Sequence, residues 1–260
     1  MTNQHPAIPG PERPRSPIGH VCLLIALQAE ADPLIRHLGL AEGTPPVPGF
    51  PMRRFGGTAG GLRVDLLTNG TDARCGTDRV GTDAATLAAT TAVLHLRPHV
   101  VVNAGTCGGF QARGGAVGDL YLATGHALYH DRRIPIPHFE LQATGRWPVH
   151  SAPALRAVLG AKPGIVTTGN SLDFTPTEAA FFEREAVHAK DMEACAIAQV
   201  CALSCVPFVA VKAVTDLVDH PEPVQEAFLR NLRDVSAALG ERLAHGMRWL
   251  GERPRTVDEL

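Results

Sequence analysis

The chain has 260 residues, a formal net charge of -2 and 45% hydrophobic residues, with 19% charged and only 5% aromatic. That length can bury one large core, as an α/β domain of ordinary size does. The near-neutral balance, with aromatics not interleaved among Lys and Arg, excludes a nucleic-acid footprint, and no stretch reaches the roughly 18 apolar residues that span a bilayer.

Residues 1–18 are rich in Pro and polar side chains and lack the apolar run of a signal peptide, so a disordered lead-in is expected there. One domain is expected over residues 19–250, followed by a polar, frayed tail at residues 251–260. Cys22, Cys75, Cys107, Cys195, Cys201 and Cys205 lie mostly in apolar or Gly-rich segments and form no CxxC pair. They are expected to be reduced thiols of a cytoplasmic protein.

Residues 21–27 (VCLLIAL) form an unbroken apolar run, the pattern of a strand covered on both faces. A short helix is predicted over 31–38, closed by Gly39, with Glu30 at the strand-to-helix junction. Residues 55–70 carry a Gly-rich hairpin signal before LRVDLLTNG. A helix rich in Ala and Thr is predicted over 80–96 and ended by Pro98.

Residues 99–110 (HVVVNAGTCGGF) read as a buried strand entering a Gly-rich turn. The spacing is not the G-x-G-x-x-G of a dinucleotide site, and no P-loop motif occurs in the chain. These glycines suit close backbone approach to a ligand or to an opposing strand. Residues 117–145 begin as a strand and continue irregularly. His126 and His130 would share a face only on a helix, which Gly125 and the following prolines oppose, so no metal site is expected.

Residues 164–169 (GIVTTG) are a short strand, followed by a helix from Thr177 whose Glu178, Glu183 and Glu185 read as a solvated face. Residues 191–219 then join a helix, with Glu193 in its first turn, to the β-rich run 208–214, with Asp216 just past its last apolar residue. Residues 224–250 are an amphipathic helix with Phe228, Leu232, Val235, Leu239 and Leu243 on one stripe. The order of elements argues for a single-domain α/β fold with a mixed, largely parallel central sheet flanked by helices.

Glu30, Glu193 and Asp216 come from distant parts of the chain to the strand-end rim where open α/β sheets bind ligands. Singly, Glu30 and Glu193 could be helix-start carboxylates favoured by the macrodipole, and Asp216 an Asx turn or cap. Together they suit cleavage of an N-glycosidic bond, which needs a proton for the leaving base, a water on the opposite face of the sugar and stabilisation of a ribose cation.

Four separated segments resemble the nucleoside phosphorylase and nucleosidase superfamily: ALQAEADPL, NAGTCGGF, HDRRIPIPHF, and the run from Met192-Glu193 to Thr215-Asp216. The likeness is to 5′-methylthioadenosine/S-adenosylhomocysteine nucleosidases, plant-type methylthioadenosine nucleosidases above all. The resemblance implies a nucleoside phosphorylase-like fold and release of adenine from an adenine nucleoside. By it, Asp216 is the general acid at purine N7, Glu30 orients and deprotonates water, and Glu193 accepts from ribose hydroxyls. Gly105, Thr106, Ser171, Leu172 and Met192 line the nucleoside pocket, with Leu172 an apolar lid over the base. The loop HDRRIPIPHF closes the side that takes the 5′ substituent, near or across a dimer interface. The resemblance further implies a homodimer, no metal and no organic cofactor.

Two positions depart from the family pattern. Asn170 stands where the strand usually ends in Gly-Asp, and Cys107 stands where Ala is usual. Two rivals share the scaffold. A purine nucleoside phosphorylase needs positive charge for phosphate, whereas this chain offers Gln28, Ala29 and Glu30 beside the first strand. A non-catalytic nucleoside-binding protein is expected to lack Asp216 or Glu193, and both are present. A sibling hydrolase for another adenine nucleoside stays open.

Overall fold

The computed structural model describes residues 16–260, so the expected disordered lead-in lies almost wholly outside the described residues. The chain runs β1 (His20–Ile25), α1 (Gln28–Leu38), β2 (Ala41–Gly43), β3 (Arg53–Ala59), β4 (Leu62–Thr68), α2 (Thr82–Thr91), β5 (Val100–Gly109) and β6 (Leu120–Tyr129). It continues through α3 (Glu140–Thr144), β7 (Trp147–Pro148), α4 (Pro153–Leu159), β8 (Lys162–Thr168), α5 (Pro176–Arg184), β9 (Ala189–Asp191), α6 (Ala194–Leu203), β10 (Phe208–Leu217) and α7 (Val224–Gly251).

All strands belong to one 10-stranded mixed sheet. Its centre is parallel, with β1 between β4 and β5 and β10 on the far side of β5. Antiparallel pairing joins β10 to β6, and β6 runs parallel to β8, β8 parallel to β9, and β9 antiparallel to β5. Strands β5, β10, β6, β8 and β9 therefore close into a ring, and β1, β4, β3 and β2 extend from it as an open wing. The α/β class and the mixed sheet match the expectation. The closure is additional, because it depends on pairings distant in sequence.

The apolar runs fill two layers. One layer packs Val21, Leu23, Val100, Val102, Val209 and Val211 against α1, α4 and α7. The other packs Cys22, Leu24, Val101 and Ala210 against the small residues of α2 and α6. Alternate residues of the same strands thus face opposite layers, which is why those strands read as continuous apolar runs.

Several expectations need correction. The Gly-rich segment after Ala104 is not a turn: β5 stays extended through Gly109. The predicted helix over 80–96 is regular only to Thr91 and then widens into a π-helical turn at Ala92–Leu96. Glu178 is not on a solvated face. It is buried, closes a capping box with Thr175 and pairs with Arg133 at 3.2 Å. The last residues do not fray, because Val257 and Leu260 are buried in the core and Leu155 donates its N–H to the Leu260 carbonyl at 2.8 Å. Among the described residues, no helix is long and apolar enough to cross a membrane.

Candidate active site

The strand ends of β1, β5, β9 and β10 meet around a cavity of about 320 Å³. Its wall contains Glu30, Thr106, Leu172, Met192, Glu193 and Asp216, so six of the residues singled out from sequence converge on one space. Gly105 and Ser171 do not line it. Gly105 lies behind Glu30, where an added Cβ would come 3.1 Å from Glu30 Oε2. Ser171 faces an adjoining groove and offers its carbonyl to Lys190.

Glu30 is the third residue of α1, within its first turn rather than at the strand-to-helix junction, and is buried. Its Oε1 accepts the Thr106 backbone N–H at 2.8 Å and the Thr106 hydroxyl at 2.6 Å. Thr106 therefore acts here through Glu30, which it fixes across the gap between α1 and β5.

Asp216 lies on β10 just past an irregularity in the β5 pairing between Val214 and Asp216. The bulge re-aims its side chain into the cavity. Burial raises its pKa, and the Thr215 hydroxyl, which donates to Oδ1 at 2.8 Å, and the charge of Lys190 oppose this only in part. Gly108 makes room on the facing strand, since a Cβ there would stand 2.9 Å from Asp216 Oδ2 and 2.6 Å from Val218. No larger residue fits without moving the acid.

Glu193 is the N-cap of α6 rather than part of its first turn. Burial lifts its pKa to about 7, with Asp191 and Glu30 adding to the rise while Lys212 and the Gly81 N–H oppose it. The Gly81 N–H reaches Glu193 Oε1 at 3.0 Å because Gly81 holds φ 90° at the entry to α2. Other residues there strain, and a Cβ would also meet Asn170 Oδ1 at 2.9 Å.

Asn170 is explained by its neighbours. Its Oδ1 accepts from the Thr82 N–H and hydroxyl at 2.9 and 3.0 Å, while its Nδ2 donates to Asp131 Oδ2 at 3.0 Å. Both ends of an amide are used, and a carboxylate would face Asp131 with no proton to give. Residues 130–139 do not line the cavity. Asp131 of this loop holds Asn170, and Arg133 pairs with Glu178 of α5. Cys107 is buried in the wall, and desolvation keeps its thiol neutral by pushing its pKa well up. His126 is exposed and His130 buried, and no group of acidic, His or Cys side chains among the described residues is placed to hold a metal ion.

Sequence reasoning missed two buried lysines. Lys190, on β9, donates to the carbonyls of Ser171 and Leu172 at 2.7 and 2.9 Å and so pins the segment carrying Leu172. Lys212, on β10, is 1% exposed and pairs with Asp191 at 2.7 Å. The one available signal was Lys212, a lone Lys inside the apolar run of β10; Lys190, on a three-residue strand, gave none. Val218, Val224 and Phe228 complete an apolar side of the cavity.

A cavity with an apolar side and buried carboxylates, two of them, Glu193 and Asp216, with pKa raised by burial, defines an α/β protein with a site for a small molecule that has polar and apolar parts. The chain belongs to the phosphorylase superfamily, whose family profile matches residues 20–245. It is 42% identical over 225 residues to a 5′-methylthioadenosine nucleosidase of Arabidopsis thaliana, covering 86% of this chain and 84% of that one. A 5′-methylthioadenosine/S-adenosylhomocysteine nucleosidase of the same plant is 36% identical over 235 residues, covering 88% of this chain and 91% of the relative. The solved apo structure of Arabidopsis thaliana 5′-methylthioadenosine nucleosidase superposes with a TM-score of 0.90 at 39% identity, over 94% of this chain and 100% of that chain.

Proposed function

We propose that the protein hydrolyses the N-glycosidic bond of 5′-methylthioadenosine, or of a related adenine nucleoside such as S-adenosylhomocysteine, and releases adenine. The observation that carries this reading is one cavity walled by four buried carboxylates, of which Asp191 is tied up by Lys212 and the start of α6, while Glu30, Glu193 and Asp216 come to it from three different elements. Asp216, with its pKa raised by burial, keeps a proton to give to N7 of the leaving purine. As the bond to C1′ lengthens, positive charge grows on the ribose, and Glu193 accepts from its hydroxyls. Glu30, anchored twice by Thr106, orients a water on the other face of the sugar. The water oxygen bonds to C1′, its proton passes to Glu30, and adenine leaves carrying the proton of Asp216.

Similarity to nucleosidases supports water as the nucleophile, and a carboxylate at position 30 repels phosphate. The homodimer and the cytoplasmic location implied by the resemblance belong to the same proposal, and light scattering on the purified protein reads the first. The decisive test is Asp216→Asn. A positioned general acid supplies roughly a hundredfold to ten-thousandfold, so turnover is expected to collapse while nucleoside binding persists. Wild-type adenine release is expected without phosphate, with free sugar as co-product. Near-normal turnover by Asp216→Asn, or a sugar 1-phosphate formed only when phosphate is present, overturns the reading.

A further inference from the structure

Lys212 is fully buried on β10, touches no solvent and does not line the cavity. Its Nζ lies 2.7 Å from Asp191 Oδ2 and 4.0 Å from Glu193 Oε2. Asp191 is already well used: it accepts the Thr168 hydroxyl at 2.5 Å and the Ala194 N–H at 2.8 Å, tying β8 and the start of α6 together. A neutral side chain could complete that structural role. An ammonium in a dry interior carries a large desolvation cost, so its charge must be held for a reason. Asp191 and Glu193 outweigh the burial and keep it protonated.

We propose that Lys212 is a positioning residue for ribose binding: its ammonium, enclosed between Asp191 and Glu193, holds the Glu193 carboxylate in the charged form that accepts from the sugar hydroxyls. The inference rests on the reading of Glu193 given above. The groups facing Glu193 are Lys212 from β10, Asp191 from β9, Glu30 from α1 and the Gly81 N–H at the entry to α2. Two of the four are anionic, and they and burial drive Glu193 toward the neutral acid, which would offer one fewer accepting oxygen. Lys212 is the only full positive charge among the four. An opposite charge within ~4–6 Å lowers a carboxyl by roughly 1–3 units.

The test is the pH dependence of affinity for a 5′-methylthio C-nucleoside of 9-deazaadenine, whose carbon-carbon link cannot be hydrolysed. Binding is thereby read even if the wild type releases no adenine, which would overturn the functional reading and leave this one standing or falling separately. In Lys212→Met the acid limb of binding is expected to move up by about one pH unit or more, with affinity at neutral pH about tenfold weaker and recovery at alkaline pH. Lys212→Arg is expected to restore the wild-type limb. In a Glu193→Gln background, Lys212→Met is expected to change affinity little, because the group it acts through is gone. If stranding Asp191 prevents folding, Lys212→Met with Asp191→Asn removes both charges. The limb should still lie above wild type, since Lys212 acts on Glu193 more strongly than Asp191 does. An unmoved limb in either variant, or an equal loss of affinity in the Glu193→Gln background, overturns the proposal.

Discussion

Thr106 and Asn170 show how much of this site depends on side chains that need not touch a ligand. The Thr106 hydroxyl and backbone N–H both end on Glu30 Oε1, while Oε2 accepts only the long contact from the Leu27 N–H at 3.4 Å. Replacing Thr106 by Val keeps the shape and the backbone bond but removes the hydroxyl. A hydrogen bond to a charged group contributes about 1.5–3 kcal/mol, so kcat is expected to fall roughly tenfold to a hundredfold while KM changes little. Steady-state adenine release measures both. A loss confined to KM would show that Thr106 serves the sugar or base and does not act through Glu30.

At the scale of elements, α7 has two jobs on one helix. Its first turns carry Val224 and Phe228 at the cavity, and Asn231 donates to the Thr215 carbonyl at 2.8 Å, steadying the residue beside the proposed acid. Its later turns bury Val235, Leu239, Leu243 and Met247 in the core. Phe228→Ala is therefore expected to raise KM with little change in melting temperature, whereas Leu243→Ala is expected to cost about 2–5 kcal/mol of stability with near-normal kinetics in the folded fraction. Thermal melts and kinetics on both variants separate the roles, and matching losses of stability would remove the division. The stripe of α7 and the apolar runs of β1, β5 and β10 were legible because burial imposes a local period. β9 and β7 were not: three and two residues carry no period, and their pairing partners lie far away in sequence. The same locality explains the site. Glu30, Glu193 and Asp216 were legible from their motifs and strand-end positions, whereas Lys190, Lys212 and buried Glu178 look like surface charge until the fold brings their partners to them.

Taken as a whole, the molecule accepts instability at its centre to keep the site reactive. Glu193 has an ordinary pKa of 4.5 that folding raises to about 7. Such a group binds its proton more tightly folded than unfolded, so its favourable contribution is full below 4.5 and is lost as pH rises through 7. Asp216 shifts in the same direction and adds to that slope. The empty protein is thus expected to lose stability between weakly acidic and neutral pH, the range in which Glu193 gains the charge its proposed role needs. Glu193→Gln removes one titrating group and keeps the volume and an accepting oxygen for the Gly81 N–H. It is expected to melt like the wild type at acidic pH and to exceed it by on the order of a few kcal/mol above neutrality, while its affinity for nucleosides drops. Melting temperatures of the two proteins across that range make the comparison. Parallel curves would mean that the Glu193 carboxylate is stabilised by Lys212 and Gly81 as fully as water stabilises it in the unfolded chain, and the opposition between stability and sugar binding at this position would disappear.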